Sequence, residues 1–350
     1  MAIRSQLPLP AFFEPARVGE IWRVPYEARA AQARDWVQTH DIAPASVDER
    51  RICLLAIDVQ NTFCVPDFEL FVGGRSGSGA VEDTRRLCEF IYRHLGVITE
   101  IVPTMDTHRA AQIFHAYFWV DAVGQPPPPM TTISFEDVQQ GRWRVNPAIA
   151  PSLGLSSERL QAFAHHYARR LSQAGKYPLT IWPYHSMLGG IGHALVSAFE
   201  EACFFHTLAR QSQTRFELKG GNPLTENYSI LSPEVLDDPE GQAIAQKNAA
   251  LIQHLLTFDA IVVAGQAKSH CVAWTVDDLL SEIQATDAAL AQKVYLLEDC
   301  TSPVVVPGVA DFSEQADDCF SRYAAAGMHR VSAAEPMADW LIFPSLSSVH

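Results

Sequence analysis

The sequence predicts an α/β protein: a three-layer α/β/α sandwich around a mainly parallel, Rossmann-like sheet of six strands. Three observations predict it. Short, nearly continuous apolar runs recur along the chain, as expected of strands buried on both faces. Segments with helical spacing alternate with them, the pattern of a parallel sheet covered by helices. Residues able to do chemistry stand just past the ends of several runs, where such sheets place their active sites.

Residues 1 to about 48 hold several prolines and one amphipathic stretch, Tyr26 to Gln38, and read as an extension packed on the main body. The first strand is Arg51-Ile-Cys-Leu-Leu-Ala-Ile57, closed by Asp58. Ala80 to His94 follows as a helix, with Leu87, Phe90, Ile91 and Leu95 on one face. Val97 to Thr104 is the second strand, running into Met105-Asp106-Thr107-His108. A long irregular stretch from about 110 to 176 contains a proline run and a helix over Ser157 to Ala174. Leu179 to Trp182 is expected as the third strand and Ile191 to Thr207 as a helix. Thr214 to Leu218 is the fourth strand, ending at Lys219, and Glu240 to Leu256 the next helix. Asp259 to Ala264 is a strand, Cys271 to Gln284 a helix, Lys293 to Leu297 a strand and Ser313 to Ala326 the last helix. The resulting organisation is an extension at 1–48, a main domain at 49–335 interrupted at about 110–176, and a tail at 336–350.

The chain has 350 residues, enough for about two domains or for one with long insertions. With 48% hydrophobic and 19% charged residues it can bury a sizeable core, which excludes a disordered or collagenous chain. Twenty-six basic against 40 acidic residues leave a formal charge of −14. That balance excludes a general nucleic-acid binder and argues against docking on anionic lipid. The amino terminus does not read as a secretory signal, and no apolar stretch is long enough to span a membrane. Seven cysteines, an odd number without a CxxC pair, suit reduced thiols and a cytoplasmic protein.

Asp106 and His108 are two apart, so in an extended segment they point the same way and can ligate one ion. His185 would complete three protein ligands and leave positions open, a pattern that suits Zn²⁺ or another divalent transition metal at a functional site. Alone, Asp-x-His is more often a chance pair among 13 histidines. Cys271 opens a helix after a strand and a glycine, where the helix dipole favours thiolate and free N–H groups can bind an oxyanion. Cys53, Cys88 and Cys203 instead fit buried structural positions. Asp58 can take the thiol proton, and Lys219 can hold and orient that carboxylate. Each of the two alone would be read as a solvated charge.

Taken together, these segments resemble the isochorismatase-like cysteine hydrolases of the nicotinamidase type. The pieces that carry the resemblance are Ile57-Asp58-Val59-Gln60-Asn61-Thr62-Phe63, Met105-Asp106-Thr107-His108, Trp182-Pro183-Tyr184-His185, Lys219-Gly220, and Gly265-Gln-Ala-Lys-Ser-His-Cys271-Val272. They span roughly 50 to 330. The resemblance implies an isochorismatase-like hydrolase fold and an Asp58–Lys219–Cys271 triad. It implies a divalent metal, Zn²⁺ first, on Asp106, His108 and His185. A cis peptide would join Gln266 and Ala267, and the N–H groups of Ala267 and Cys271 would hold an oxyanion. Phe63 and Trp182 match positions that flank an aromatic ring. The implied reaction is hydrolysis of a small, cyclic, nicotinamide-like carboxamide to carboxylate and ammonia through a Cys271 thioester, in a homo-oligomer.

Vinyl-ether hydrolysis of the isochorismatase kind is the alternative enzyme reading, and Cys271 disfavours it because that chemistry needs no thiol. A non-catalytic binding protein on the same fold is the other. Three features depart from the nicotinamidase pattern: Lys268-Ser269-His270 before the cysteine, Ser186 after the third ligand, and 76 residues between His108 and His185. Lys268 and His270 would reach substrate or solvent. The insertion, rich in aromatics, would form a lid, an oligomer contact or a surface decoration.

Overall fold

The computed structural model describes residues 6–175 and 177–340. Six strands form the main sheet: β1 (Ile52–Ile57), β2 (Glu100–Asp106), β3 (Glu217–Lys219), β4 (Ala260–Gly265), β5 (Val294–Leu297) and β6 (His329–Val331). Their order is β6-β5-β4-β1-β2-β3, and the pairings from β6 through to β2 are parallel. The long helices are α1 (Tyr26–His40), α2 (Gly79–Arg93), α3 (Ser157–Ala174), α4 (Ser197–Arg210), α5 (Ala249–Leu256), α6 (Ala273–Thr286) and α7 (Ser313–Ala325).

The chain divides into two compact units, one of Met1–Met105, Leu195–Glu217 and Ala249–His350, the other of Asp106–Ala194 and Leu218–Asn248. In the first unit β1 is buried at every position. Ile52, Leu54 and Ala56 share a core with Ala260, Val262 and Ala264 of β4, with Leu87, Phe90 and Ile91 of α2, and with Phe199, Ala202 and Phe205 of α4. The alternate residues Cys53, Leu55 and Ile57 point to the opposite face and are equally inaccessible. Covered on both faces, the strand needs no polar alternation, which is why its sequence is a continuous apolar run. This is a three-layer α/β/α arrangement.

The segment before β1 belongs to this unit. Arg29 of α1 donates from Nε to Glu201 Oε1 on α4 at 2.7 Å, and the Trp22 N–H donates to Ser197 Oγ at 2.9 Å. At the far end Met337–Trp340 form a short helix. Residues 341–350 of the expected tail lie outside the described residues.

Several expected elements differ. Leu179–Thr180 is not a strand of the main sheet; it pairs antiparallel with Thr132–Ile133 in a separate ribbon of the second unit. The sixth strand is instead His329–Val331, three residues long with one buried position, too short and polar to show as an apolar run. The second strand begins at Glu100 because the His94 carbonyl accepts from both the Val97 and Ile98 N–H groups, keeping those residues in a turn. The helix expected from Ile191 begins at Ser197, because the Val196 N–H is spent on the Val59 carbonyl. The helix expected from Glu240 begins only at Ala249. Upstream, the Asp238 carboxylate accepts from the Glu240 and Gln242 N–H groups, a local turn that competes with helix.

Buried histidines, His94 and His206 among them, give this unit an acid sensitivity. Burial, aided by Arg93, pushes His94 down to about 4. Burial likewise pushes His206 down to about 4, although its Nε2 pairs with the Ile98 carbonyl. Both values lie below the unfolded value of 6.5, so the folded state binds fewer protons than the unfolded chain in that window. Their contribution is complete above 6.5 and is lost as pH falls towards 4. By pH ~5 the loss is about 2 kcal/mol for each histidine. Urea unfolding at neutral pH and at that acid pH measures it, and His206→Gln should reduce the difference by about 2 kcal/mol; a variant with an unchanged pH dependence would contradict this origin.

Candidate functional site

In the first unit the site begins where β1 and β4 end side by side, Ile57 opposite Gly265. Gly265 has φ +113, and a Cβ there would lie 2.0 Å from the Ile57 carbonyl oxygen, so only glycine permits this approach. Asp58 follows Ile57 with a left-handed φ of 49, a conformation Asp tolerates better than most residues. It is fully buried. Its N–H bonds Thr104 Oγ1 at 3.1 Å and its Oδ1 accepts from the same hydroxyl at 2.5 Å.

Past Gly265 the Gln266–Ala267 bond is cis. Cys271 sits, 8% exposed, in a single π-helical turn over Lys268–Val272 that leads into α6. The Ala267 carbonyl accepts from the His270 and Val272 N–H groups at 3.0 and 3.1 Å, the second being the five-residue bond that defines such a turn. The helix therefore starts two residues later than its sequence suggests. Side chains hold the turn from outside. Gln266 donates to Asp83 Oδ2 on α2 at 2.9 Å, and the Val304 N–H donates to Ser269 Oγ at 3.0 Å. Asp83 was not anticipated, although a lone acid on the apolar face of α2 is a readable signal.

Lys268 and His270 are both buried, which removes solvent as the destination of either side chain. The Lys268 ammonium bonds Asp317 Oδ1 at 2.6 Å and lies 4.6 Å from the Phe320 ring. His270 shares Nδ1 with Ser269 Oγ at 2.8 Å, and burial lowers it to about 3. The other six cysteines are free as well. Burial pushes the Cys53, Cys64, Cys88, Cys203 and Cys300 thiols up, which suits inert structural positions.

In the second unit Asp106, the last residue of β2, meets both histidines. Its Oδ2 is 2.6 Å from His108 Nε2 and 3.4 Å from His185 Nε2, and its Oδ1 accepts from Lys219 Nζ at 2.8 Å. All four side chains are buried. His185 arrives from an irregular loop rather than from a sheet strand. That loop is pinned by the His108 N–H on the Ser186 carbonyl and the Leu188 N–H on the His108 carbonyl, each 3.0 Å.

The far ring nitrogens are also engaged, His108 Nδ1 with the Gly220 carbonyl at 3.3 Å and His185 Nδ1 with the Pro183 carbonyl at 2.7 Å. With Nδ1–H donating to these carbonyls, both Nε2 lone pairs face the carboxylate. Three acceptors converging within 4.8 Å call for a cation among them, so the residues fit a divalent metal. Gly220, φ +82, makes room: a Cβ there would lie 2.6 Å from His108 Cε1 and 3.1 Å from Asp106 Oδ1. Burial alone would raise the Asp106 carboxyl, but His108 and the Lys219 ammonium hold it well below the usual carboxylate range. Burial pushes His185 down, favouring the neutral, ligating imidazole.

One neighbour was missed. His115 is fully buried, with ring centroids 5.8 and 5.9 Å from His108 and His185, and burial above all lowers it to about 3. It lies among apolar residues at no ligand spacing, so nothing in the sequence distinguishes it. Of the two residues expected to flank a ring, Phe63 belongs to the first unit, in the short helix Asn61–Cys64, and Trp182 to the second; both are nearly inaccessible. Lys219 likewise belongs to the second unit, whereas Asp58 and Cys271 belong to the first. No helix among the described residues is long and apolar enough to cross a membrane.

No protein-family model and no curated protein matches the sequence. Among solved structures the chain is similar to a nicotinamidase/pyrazinamidase of Acinetobacter baumanii, with TM-score 0.48 and 16% identity over 82% of this chain and 98% of that one. It is similar to the yeast nicotinamidase bound to the inhibitor nicotinaldehyde, with TM-score 0.49 and 16% identity over 80% and 99%. It is also similar to a pyrazinamidase of Pyrococcus horikoshii in complex with zinc, with TM-score 0.41 and 15% identity over 81% and 99%.

Proposed function

We propose that the protein is a metal-containing cysteine amidohydrolase that converts a small, cyclic carboxamide into its carboxylate and ammonia. The observation that carries this reading is the buried Asp106–His108–His185 set, whose histidines are oriented by their carbonyl partners. It stands in one chain with a thiol at the start of α6 and a carboxylate at the end of the strand beside it.

Asp58 takes the thiol proton, and the Cys271 sulfur attacks the carboxamide carbon. The backbone N–H groups of Ala267 and Cys271 receive the negative charge that develops on the carbonyl oxygen. Asp58 returns its proton to the departing nitrogen as ammonia leaves, and water hydrolyses the Cys271 thioester. Lys219, in the triad the family resemblance assigns, favours ionised carboxylate. A divalent ion on Asp106, His108 and His185, Zn²⁺ before others, would supply a Lewis-acidic anchor for a lone pair of the substrate, such as a ring nitrogen. Phe63 and Trp182 flank the ring. The active form is a homo-oligomer in the cytoplasm.

A panel of amides tests the reading: nicotinamide, pyrazinamide, benzamide, linear amides and carbamoyl compounds, with ammonia release as the readout. Cyclic carboxamides with a ring nitrogen should be turned over fastest. Turnover of linear amides alone would exclude the ring-binding part, and release from none would overturn the proposal.

A further inference from the structure

The insertion after His108 has chemistry of its own, and it leads to Trp182. The Trp182 ring is 5% exposed, and a buried indole N–H needs an acceptor. It donates to Tyr228 Oη at 3.1 Å, the two rings meeting edge-on at 89°. Glu226 stands two residues before Tyr228 in the same loop. The Glu226 N–H donates to Tyr167 Oη at 3.3 Å. Tyr167 is fully buried on α3, the long helix of the insertion. Tyr177, just past α3, packs edge-on against Tyr228 with ring centroids 6.4 Å apart. The backbone repeats the linkage: the Trp182 N–H donates to the Phe114 carbonyl and the Ile181 N–H to the Thr131 carbonyl, at 2.9 and 2.8 Å. All of these residues lie within the second unit. Burial pushes the Tyr228 phenol up, so at neutral pH it stays protonated.

We infer that the insertion is a specificity element: through Tyr167, Glu226 and Tyr228 its helix sets the orientation of the Trp182 indole and so governs which ring the pocket accepts. This rests on the amidase reading for the identity of the ligand, but the orientation of the indole does not. Tyr167, Glu226 and Tyr228 are positioning residues, since they act through Trp182. The linkage gives the buried Trp182 N–H its acceptor, where an unmade hydrogen bond is costly.

The test has two arms on the full chain. In the first, ¹⁹F NMR of protein labelled with 5-fluorotryptophan follows the Trp182 resonance, assigned by its loss in Trp182→Phe. Tyr228→Phe keeps the ring and removes the acceptor, and it should shift or broaden that resonance. Tyr167→Phe should move it less. A Trp182 resonance unmoved in both tyrosine variants overturns the inference. In the second arm, KM for the best cyclic amide should rise about tenfold in Tyr228→Phe while kcat stays within about twofold, the pattern of lost binding rather than lost chemistry. A moved resonance with unchanged KM and unchanged preference among rings overturns the specificity role. If the wild type turns over no amide, the amidase reading fails by itself while the resonance still decides the orientation.

Discussion

Cys271→Ala is expected to abolish amide hydrolysis, lowering kcat by about four orders of magnitude or more, the usual consequence of removing a covalent nucleophile. The residue sits in a π-helical turn whose backbone bonds run through the Ala267 carbonyl, not through the thiol, so the turn should survive the substitution. Loss of one buried Sγ leaves a small cavity costing about 1 kcal/mol, far too little to unfold a domain by itself. Activity and stability are thus predicted to separate, and parallel measurements of ammonia release and of the urea midpoint check that they do. Cys300→Ala and Cys64→Ala are the controls. Both thiols are buried and pushed up, so neither should affect kcat by more than about twofold. Mass spectrometry after brief exposure to limiting iodoacetamide should find Cys271 alkylated first. Wild-type turnover in Cys271→Ala would sink the mechanism.

The residues that proved legible in the sequence are those whose physics is local. The apolar run at β1 and the spacing of α3, seen as Ser157–Ala174 in both, need only neighbours a few residues away to declare themselves. Asp106 and His108 were legible as a pair because a strand puts alternate side chains on one side. What was not legible depends on distant partners. His185 was expected at the end of a sheet strand, yet it reaches Asp106 from a loop that Ser186 and Leu188 pin to His108. The late starts of α4 and α5 follow from single carbonyl and carboxylate acceptors that take N–H groups out of the helical register. Tyr228 and Glu226 carried no signal either, for their role arises only where Trp182 and Tyr167 meet them.

His185→Ala should remove the metal while leaving the fold. Three ligands and open positions already make a modest site, and two ligands hold a divalent ion far more weakly, by about two orders of magnitude or more. Elemental analysis of the purified wild type should find about one divalent ion per chain, and the variant less than a tenth of that. The sign of the accompanying charge effect supports this expectation. Asp106 is held well below the usual carboxylate range by His108 and by Lys219, so it remains an anion when His185 is gone. The site then keeps its lysine-paired carboxylate but loses the donor that closes the ligand set. Loss of the His185 imidazole frees the Pro183 carbonyl, which can turn to water. Turnover of a ring-nitrogen amide should fall by about 10²–10³, while an amide without a ring nitrogen, already a poor substrate, should change little. That contrast separates loss of an anchor from general damage, since damage to the Cys271 turn would depress both substrates alike. Equal metal content in wild type and variant would remove His185 from the ligand set, and His115 would then be the first residue to substitute, because its ring lies 5.8 Å from that of His108.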